Sequence, residues 1–233
     1  MADLANIFGR HEFFIRRLHS LTGLVPVGAF LVVHLITNAA ILDGPETYQL
    51  RVDQIHTLGP ITLELVEWTF IFLPILLHGL IGLIIVTRGH RNLLYYPYRE
   101  NFRYTLQRYT GVIAFAFILW HVFHTRGWLN SSWWMEHVTR PLGGGTFDAV
   151  HAAATAAASI QASAIIQIVY AVGILASVYH LANGLWTMGI TWGIWTTPHS
   201  QRWANYLVLG FGLVLLTLGA GALAGMATVV LLQ

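Results

Sequence analysis

The sequence predicts an all-α integral membrane protein, a bundle of five transmembrane helices, and three observations support this fold class. First, 56% of the 233 residues are hydrophobic and only 9% are charged, a composition typical of membrane proteins. Second, several uncharged apolar stretches are long enough to cross a hydrocarbon core of about 30 Å. Third, none of them alternates as a barrel strand would, so in lipid they should satisfy their backbone groups as helices.

Polar and basic segments between the apolar runs set the predicted bounds of the five spans. The whole chain is interpreted as one transmembrane domain with spans at about residues 21–42, 64–87, 109–125, 164–192 and 204–232. The Gly- and Ala-rich segment 143–163 also contains Thr, Ser, Gln and His, and we predict an interfacial loop or helix there. If that segment spanned the membrane instead, the last two spans would be inverted.

The placement of arginine predicts the orientation in the membrane, because cytoplasmic loops carry an excess of basic residues. All twelve basic residues are arginines, and eight of them precede the first span or fill the loop between the second and third: Arg10, Arg16, Arg17, Arg88, Arg91, Arg99, Arg103 and Arg108. With Arg202 the five-span arrangement has nine arginines inside and three outside. We therefore predict a multi-pass protein of the cytoplasmic membrane with its N-terminus in the cytoplasm.

The absence of cysteine limits the metal chemistry that the chain can support. With no cysteine, iron–sulfur ligation, thiolate haem ligation, covalent haem attachment and disulfides are excluded, so any metal must be held by histidine. The formal net charge of +2 is small, and no nucleic-acid partner is predicted.

Each of the first four predicted spans carries a histidine: His34, His78, His121 and His180. An ionisable side chain inside a bilayer is costly, so it indicates function and a partner across the bundle. Neutral imidazole is a common haem ligand, and an iron with two histidines has no open position, which suits electron transfer. We predict two b-type haems. The alternative is that the histidines only form hydrogen bonds between helices.

The depth of each histidine predicts how the four side chains pair. With a rise of about 1.5 Å per residue, His34 and His121 each lie roughly 20 Å along spans that start in the cytoplasm, so both end toward the outer side. His78, on a span that runs inward, lies about 15 Å before the cytoplasmic end, which leaves His180 as its partner. His124, one turn after His121, is the competing ligand, but it lies closer to the interface.

Four stretches of sequence carry a family resemblance. They are RRLHSLTG at residues 16–23, Phe72-Leu73-Pro74 leading to His78, Leu106-Gln107-Arg108 followed by Trp120-His121, and His180 with Asn183-Gly184-Leu185-Trp186. In this order they resemble the two-haem cytochrome b membrane-anchor subunit of succinate:menaquinone oxidoreductases and fumarate reductases, that is, of respiratory complex II. The chain departs from the family in the long Gly/Ala-rich loop before the fourth span, and its fifth span matches only in apolar character.

The resemblance implies a function and a set of partners. In this family the cytochrome anchors a flavoprotein with FAD and an iron–sulfur subunit at the cytoplasmic face. Electrons from succinate would pass through the iron–sulfur clusters to the inner haem, held by His78 and His180, then to the outer haem, held by His34 and His121, and finally to menaquinone. Membrane lipid is a further partner. The direction of the reaction, the side of the quinone site and a higher oligomer of the complex stay open.

Two carboxylates are candidates for the quinone and proton chemistry that this function requires. Glu64 and Glu67 lie at the predicted outer end of the second span and share a helix face because they are three residues apart. Glu67 also occupies the position of a glutamate in the family pattern. We predict a quinone-site or proton-relay role for this pair, the alternative being that both are solvated at the helix end.

Haem propionates, or an inner quinone, need cationic or hydroxyl partners near the interface. Arg17, His19, Ser20 and Arg108 lie at the predicted cytoplasmic ends of the first and third spans and are the candidates for this role. Ordinary positive-inside charge, or contact with a partner subunit, explains the two arginines equally well.

Two other classes of function stay open on the sequence alone. One is a two-haem cytochrome b that anchors another quinone-linked dehydrogenase. The other is a haem-free structural anchor. Co-purification with a flavoprotein that oxidises succinate separates the first from complex II, and an absorption spectrum without b-type bands would support the second.

Overall fold

The structure is a computed structural model that describes residues 2–89 and 92–230, with side chains described from residue 10 onward. The described residues form helices joined by turns and contain no strand. Five helical stretches are long and apolar enough to span a membrane, namely Arg10–Asp43, Pro60–Arg88, Arg99–Arg126, Ala164–Thr191 and Pro198–Thr228. The predicted all-α class with five spans is therefore confirmed.

The first two spans are each interrupted by a π-helical turn beside a proline. Span one contains α1 (Ala2–Thr22) from Arg10 onward, the turn Gly23–Gly28 with Pro26, α2 (Ala29–Ala39) and a final 3-10 turn, Ala40–Asp43. A proline supplies no backbone N–H and crowds the preceding turn, so the helix locally adopts a wider hydrogen-bond pattern. In span one this irregular turn comes shortly before His34.

Span two is built in the same way. It consists of α4 (Pro60–Glu67), the π-helical turn Trp68–Phe72 and α5 (Leu73–Arg88), whose second residue is Pro74. The remaining helices are α3 (Pro45–His56), α6 (Arg99–Arg126), α7 (Ser132–Trp134), α8 (Ala152–Gln161), α9 (Ala164–Thr191) and α10 (Pro198–Thr228). Among the described residues the shorter helices α3, α7 and α8 lie outside the spans, and α6, α9 and α10 are the third, fourth and fifth spans.

The observed helix ends differ from the predicted ones where polar residues continue a helix. Span one begins at Arg10 rather than near residue 21, and α6 begins at Arg99 rather than near residue 109. The fifth helix ends at Thr228, while its predicted end at Leu232 and the loop residue Arg91 lie outside the described residues. In segment 143–163 the structure has α8, whose length of about 15 Å is half of what a span needs.

Large apolar side chains of the spans point outward. Phe70, Leu175 and Leu213 are 57%, 56% and 55% exposed, although each lies in the middle of an apolar helix. In water such exposure over several helices would be unfavourable, whereas in hydrocarbon it costs nothing. The outer surface of the spans is therefore suited to lipid.

By its contacts the chain divides into two compact units. The first comprises Met1–Leu31, Glu64–Val112 and Tyr179–Gly212, and the second comprises Val32–Leu63, Ile113–Val178 and Leu213–Gln233. In the first unit small residues allow close helix packing: a Cβ at Gly28 would lie 2.8 Å from Leu181 Cδ1, and one at Gly212 would lie 3.1 Å from Ala182 Cβ. Close approach at small residues is the usual packing of membrane helices.

The second unit has a hydrophobic core where α3 packs against α8 and against the ends of the first and fifth spans. Its buried members are Ile41, Tyr48, Val52, Ala152, Ala153, Ala157, Ile160 and Met226. Burial raises the pKa of Tyr48 to about 12, so the phenol stays neutral in this core. The Gln161 side-chain amide donates to the carbonyls of Met226 and Val229 at 2.9 and 3.0 Å, which satisfies the C-terminal end of α10.

Candidate functional site

The four predicted haem ligands form two ring pairs, and each pair lies within one unit. His78 and His180 belong to the first unit, with ring centroids 5.9 Å apart and ring planes at 78°. His34 and His121 belong to the second unit, with centroids 5.8 Å apart and planes at 76°. The structure therefore brings together the partners that helical depth predicts.

Backbone carbonyls orient both rings of the first pair. His78 Nδ1 is 2.8 Å from the carbonyl oxygen of His19, and His180 Nδ1 is 3.0 Å from that of Gln107. A carbonyl only accepts, so each Nδ1 carries the proton and donates it. The lone pair of each ring is then on Nε2, which is the tautomer that binds a metal through Nε2.

In the second pair a phenol takes the place of the carbonyl. His121 Nδ1 is 3.1 Å from the hydroxyl of Tyr170, and the same hydroxyl is 3.1 Å from His124 Nδ1. His124 is 6% exposed and stacks on Trp120 with centroids 4.7 Å apart. Among the described ring contacts His34 pairs with His121, so the competing candidate His124 has a different environment.

Glycines stand opposite the rings of the first unit. A Cβ at Gly111 would lie 2.7 Å from His180 Cε1, and one at Gly23 would overlap the ring of His78. A Cβ at Gly82 would lie 3.1 Å from His19 Cε1. Gly23 and Gly111 therefore leave no room for a Cβ while the rings keep their places, whereas at Gly82 the His19 ring would have to shift by a few tenths of an ångström.

The predicted cationic and hydroxyl group separates into two sets of contacts. His19 stacks on His78 at 4.0 Å, and Ser20 Oγ accepts from Trp192 Nε1 at 2.9 Å and donates to the Arg17 carbonyl at 3.0 Å. The Arg17 guanidinium donates to the Thr191 carbonyl at 2.9 Å. The structure thus places Arg17 and Ser20 at the C-terminal end of α9 and His19 against the ring of His78.

Arg108 has different neighbours. Its guanidinium carbon lies 3.5 Å above the ring of Tyr104, and the group packs against Gly89. The Nε atoms of Arg108 and of Arg17 are both buried and have no hydrogen-bond partner among the described residues. Buried unpaired donors on cations are costly, so these two atoms are suited to an anionic ligand.

The two carboxylates lie where the second span begins. Glu64 is exposed and Glu67 is half-buried, and both are on α4 in the first unit. Glu67 is the last residue of α4 before the π-helical turn Trp68–Phe72, and such turns are frequent at functional sites.

Sequence reasoning missed a polar network that supports His180. Asn183 Nδ2 donates to Gln107 Oε1 at 2.7 Å, and Gln107 Nε2 donates to the His180 carbonyl at 3.0 Å. Arg103 donates through Nε to Asn183 Oδ1 at 2.8 Å and through a terminal nitrogen to Asn205. The signal was present, because polar side chains inside spans indicate function by the same rule that singled out the histidines.

A membrane-spanning helical bundle in which histidines face one another in pairs defines the class of transmembrane cytochromes b. Over 202 residues the chain is 36% identical to the succinate dehydrogenase cytochrome b558 subunit of Bacillus subtilis (strain 168), covering 86% of this chain and 90% of the relative. No family model matches the chain. The chain belongs to the family of succinate dehydrogenase cytochrome b subunits, a component of an oxidoreductase complex, and the resemblance seen in its motifs is confirmed.

The histidine pairs fit a haem iron, the group that the name of the relative implies. Metal–imidazole bonds are about 2 Å long, so a metal between two imidazoles separates their bonded nitrogens by about 4 Å. Each ring centroid lies about 1 Å beyond its nitrogen, so a shared iron would set the centroids about 6 Å apart, and the observed separations of 5.8 and 5.9 Å are close to this value. In the described part of the chain no three or more His, Asp or Glu residues are grouped to hold a bare metal ion. Two protein ligands suffice for haem, since the porphyrin supplies four donors.

Proposed function

We propose that this chain is the membrane-anchor cytochrome b of a succinate dehydrogenase complex, that it holds two b haems, and that it passes electrons to menaquinone. The observation that carries the proposal is that the four histidines face one another in two pairs. Nδ1 of His78 and of His180 donates to a backbone carbonyl, which leaves Nε2 for iron, and Nδ1 of His121 lies within hydrogen-bond distance of the Tyr170 hydroxyl. Histidines that only joined helices by hydrogen bonds would not be expected to face a second histidine ring at nearly the same separation in both units.

In this proposal His78 and His180 hold one haem, and His34 and His121 hold the other. Bound haem supplies one-electron transfer between partners with no open iron position for oxygen. Backbone carbonyls fix the tautomers of His78 and His180. Gly23 leaves room for the His78 ring, and the apolar spans keep water from the iron. Fixed ligand geometry limits reorganisation during electron transfer.

Two cationic side chains of the first unit offer hydrogen-bond donors for the haem propionates. Arg17 and Arg108 each offer a buried Nε–H without a partner, and a carboxylate accepts such bonds more strongly than a neutral group. His19 and Ser20 follow Arg17 on α1, while Arg108 comes from α6. We assign these four residues to propionate binding, or to an inner quinone headgroup.

The excess of arginine on the loops at one side orients the chain with its N-terminus in the cytoplasm. The flavoprotein subunit with FAD and the iron–sulfur subunit then dock at that face, as the family resemblance implies, and the relative is by its name a subunit of succinate dehydrogenase. Succinate is oxidised on the flavoprotein, and this chain supplies the membrane anchor and the path to the quinone.

Purification of the complex with its partner subunits tests the proposal. We expect two haems per copy of this chain, b-type bands in the reduced-minus-oxidised spectrum, two midpoint potentials, and oxidation of the reduced haems by a menaquinone analogue. Absence of b-type bands would overturn haem binding. Haems that succinate cannot reduce, in a preparation with an active flavoprotein, would overturn the assignment to succinate dehydrogenase.

Replacing Glu67 with glutamine is expected to slow electron transfer from the complex to a menaquinone analogue on the order of 10²-fold, the usual effect of losing an acid–base group. Reduction of the haems by succinate should be unchanged, because the substitution keeps the size of the side chain and removes only its proton chemistry. Stopped-flow absorbance separates the two steps.

The control for this prediction is Glu46→Gln, an exposed carboxylate at the start of α3, outside the spans. The same substitution at Glu64 shows which of the two carboxylates on α4 acts. An unchanged quinone rate in both α4 variants would contradict the assigned role.

Gly111→Ala is expected to lower the haem content by one equivalent or to displace the spectrum of one haem. Its Cβ would lie 2.7 Å from His180 Cε1, and a ring held by iron and by the Gln107 carbonyl has no freedom to move aside. Gly210→Ala is the matched control, because nothing lies within 4 Å of a Cβ there. Equal haem content and equal spectra in the two variants would contradict the prediction.

A further inference from the structure

One hydroxyl in the second unit lies between two histidines. The Tyr170 oxygen is 3.1 Å from Nδ1 of His121 and 3.1 Å from Nδ1 of His124. Tyr170 comes from α9 and both histidines come from α6, so this contact joins two spans. No motif of the sequence points to Tyr170.

Proton counting fixes the direction of both hydrogen bonds. A phenol hydroxyl has one proton to donate and lone pairs to accept with. If His121 binds iron through Nε2, its proton must be on Nδ1, and His121 donates to Tyr170. The hydroxyl proton of Tyr170 then points to His124 Nδ1, so His124 carries its own proton on Nε2.

Packing holds the phenol in this position. Its ring makes edge contacts with Phe117 and Trp120, at centroid distances of 5.5 and 5.4 Å, and it also packs against the core of α3 and α8. His124 in turn stacks on Trp120, with planes at 10°. The rings of Tyr170 and His124 are therefore both held in place by packing.

The second unit differs in this respect from the first. His78 and His180 donate to backbone carbonyls, which belong to the helix itself and cannot be removed by a side-chain substitution. The acceptor of His121 is a hydroxyl that rotates freely unless its own proton is bound. His124 binds that proton, so the orientation of His121 depends on two side chains rather than on the backbone.

We propose that Tyr170 is the positioning residue of His121: it accepts from His121 Nδ1, donates to His124 Nδ1, and so fixes the tautomer and ring plane of one iron ligand. This proposal rests on the proposed function, since it takes His121 as a haem ligand. It predicts that the ligand field of one haem alone is set by a side-chain hydroxyl.

The test uses the purified complex with Tyr170→Phe, which keeps the aromatic ring and removes the hydroxyl. We expect one haem to change its low-spin EPR g values, which report the orientation of the two ligand rings, and to shift its midpoint potential upward. The rise follows because His121 loses the hydrogen bond that makes it a stronger electron donor to iron. The other haem should keep both its g values and its potential.

Two further variants complete the experiment. Tyr48→Phe removes a buried phenol hydroxyl from the core of the same unit and should leave both haems unchanged. His124→Leu removes the acceptor of the Tyr170 proton, so a smaller change in the same haem is expected. Loss of one haem in His124→Leu would identify His124 as the ligand and overturn the proposal.

The outcomes separate this proposal from the proposed function. A change, or a loss, confined to one haem in Tyr170→Phe supports the positioning role. Two haems with unchanged g values and potentials in Tyr170→Phe would overturn it and leave the ligand pairs intact, and loss of both haems would overturn it in favour of a structural role. Fewer than two haems in the unsubstituted complex would overturn the two-haem proposal itself.

Discussion

His121→Ala is expected to remove one haem from the purified complex and to leave the other with its spectrum and potential. The reason is that His121 pairs with His34 inside the second unit, whereas His78 and His180 form their pair inside the first. An iron that loses one of two axial ligands is no longer held in a low-spin state, and a b-type haem has no covalent bond to retain it. Haem extraction and quantification per polypeptide measure the loss directly.

His180→Ala provides the converse experiment and should remove the other haem. His56→Ala is the control, since His56 is an exposed residue of α3, outside the spans, and should keep two haems. Equal loss of both haems in His121→Ala and in His180→Ala would mean that the bundle loses its cofactors as one unit, which contradicts independent pairs.

The fold class was predictable from the sequence because the membrane imposes one strong rule: an apolar run of sufficient length must be a helix. The fourth span illustrates this, with a prediction of 164–192 and an observed helix Ala164–Thr191. The rule identifies the apolar part of a helix but does not locate the residue at which the helix begins or ends. It therefore placed the start of α6 about ten residues late, since α6 continues through Arg103 and Arg108 to Arg99.

The partners of the histidines were predictable because helical rise fixes depth to within about a turn. No charge marks the end of the span that carries His180, yet the structure places its ring against that of His78. That these rings bind iron stays a prediction. The cationic candidates were found by position, but their unpaired Nε atoms are visible only once side chains are placed.

The supporting hydrogen bonds were not predictable, for a different physical reason. The bond from His180 Nδ1 to the Gln107 carbonyl joins residues 73 positions apart, and it depends on the rotation of two helices about their axes. The depth of a residue along its helix does not determine this rotation. Tyr170 is a similar case, because its sequence neighbourhood is ordinary and its role follows only from the two nitrogens that its hydroxyl meets.

The polar network beside His180 is expected to stabilise the haem that His180 is proposed to bind, and its loss should have a large effect. Asn183 is 4% exposed and connects the Gln107 amide to the Arg103 guanidinium. The Arg103 guanidinium carbon also lies 3.8 Å above the Trp186 ring. Through Gln107 this network reaches both the backbone and the ring of His180, so it joins α6 to α9 at the ligand itself.

Asn183→Leu is expected to destabilise the first unit and to release one haem at a lower temperature than in the unsubstituted complex. Leucine has the same branching at Cγ but no polar atom, so the main change is the loss of both hydrogen bonds. Gln107 Oε1 and Arg103 Nε both lose a partner, and a buried polar group left unsatisfied costs about 1–3 kcal/mol. The cost is smaller for Arg103, which is half-buried. The measurement is haem absorbance during a thermal ramp, resolved into its two components.

Asn183→Asp separates the two hydrogen bonds of this residue. A carboxylate keeps an acceptor for Arg103 Nε, in a charge-assisted bond, but it cannot donate to Gln107 Oε1 and instead places two acceptors face to face. Because Gln107 is the residue that contacts His180, aspartate should release the haem nearly as early as leucine does. If aspartate behaves as the unsubstituted protein while leucine does not, the bond to Arg103 rather than the bond to Gln107 holds the ligand, and α10, reached through Asn205, is part of the support of His180.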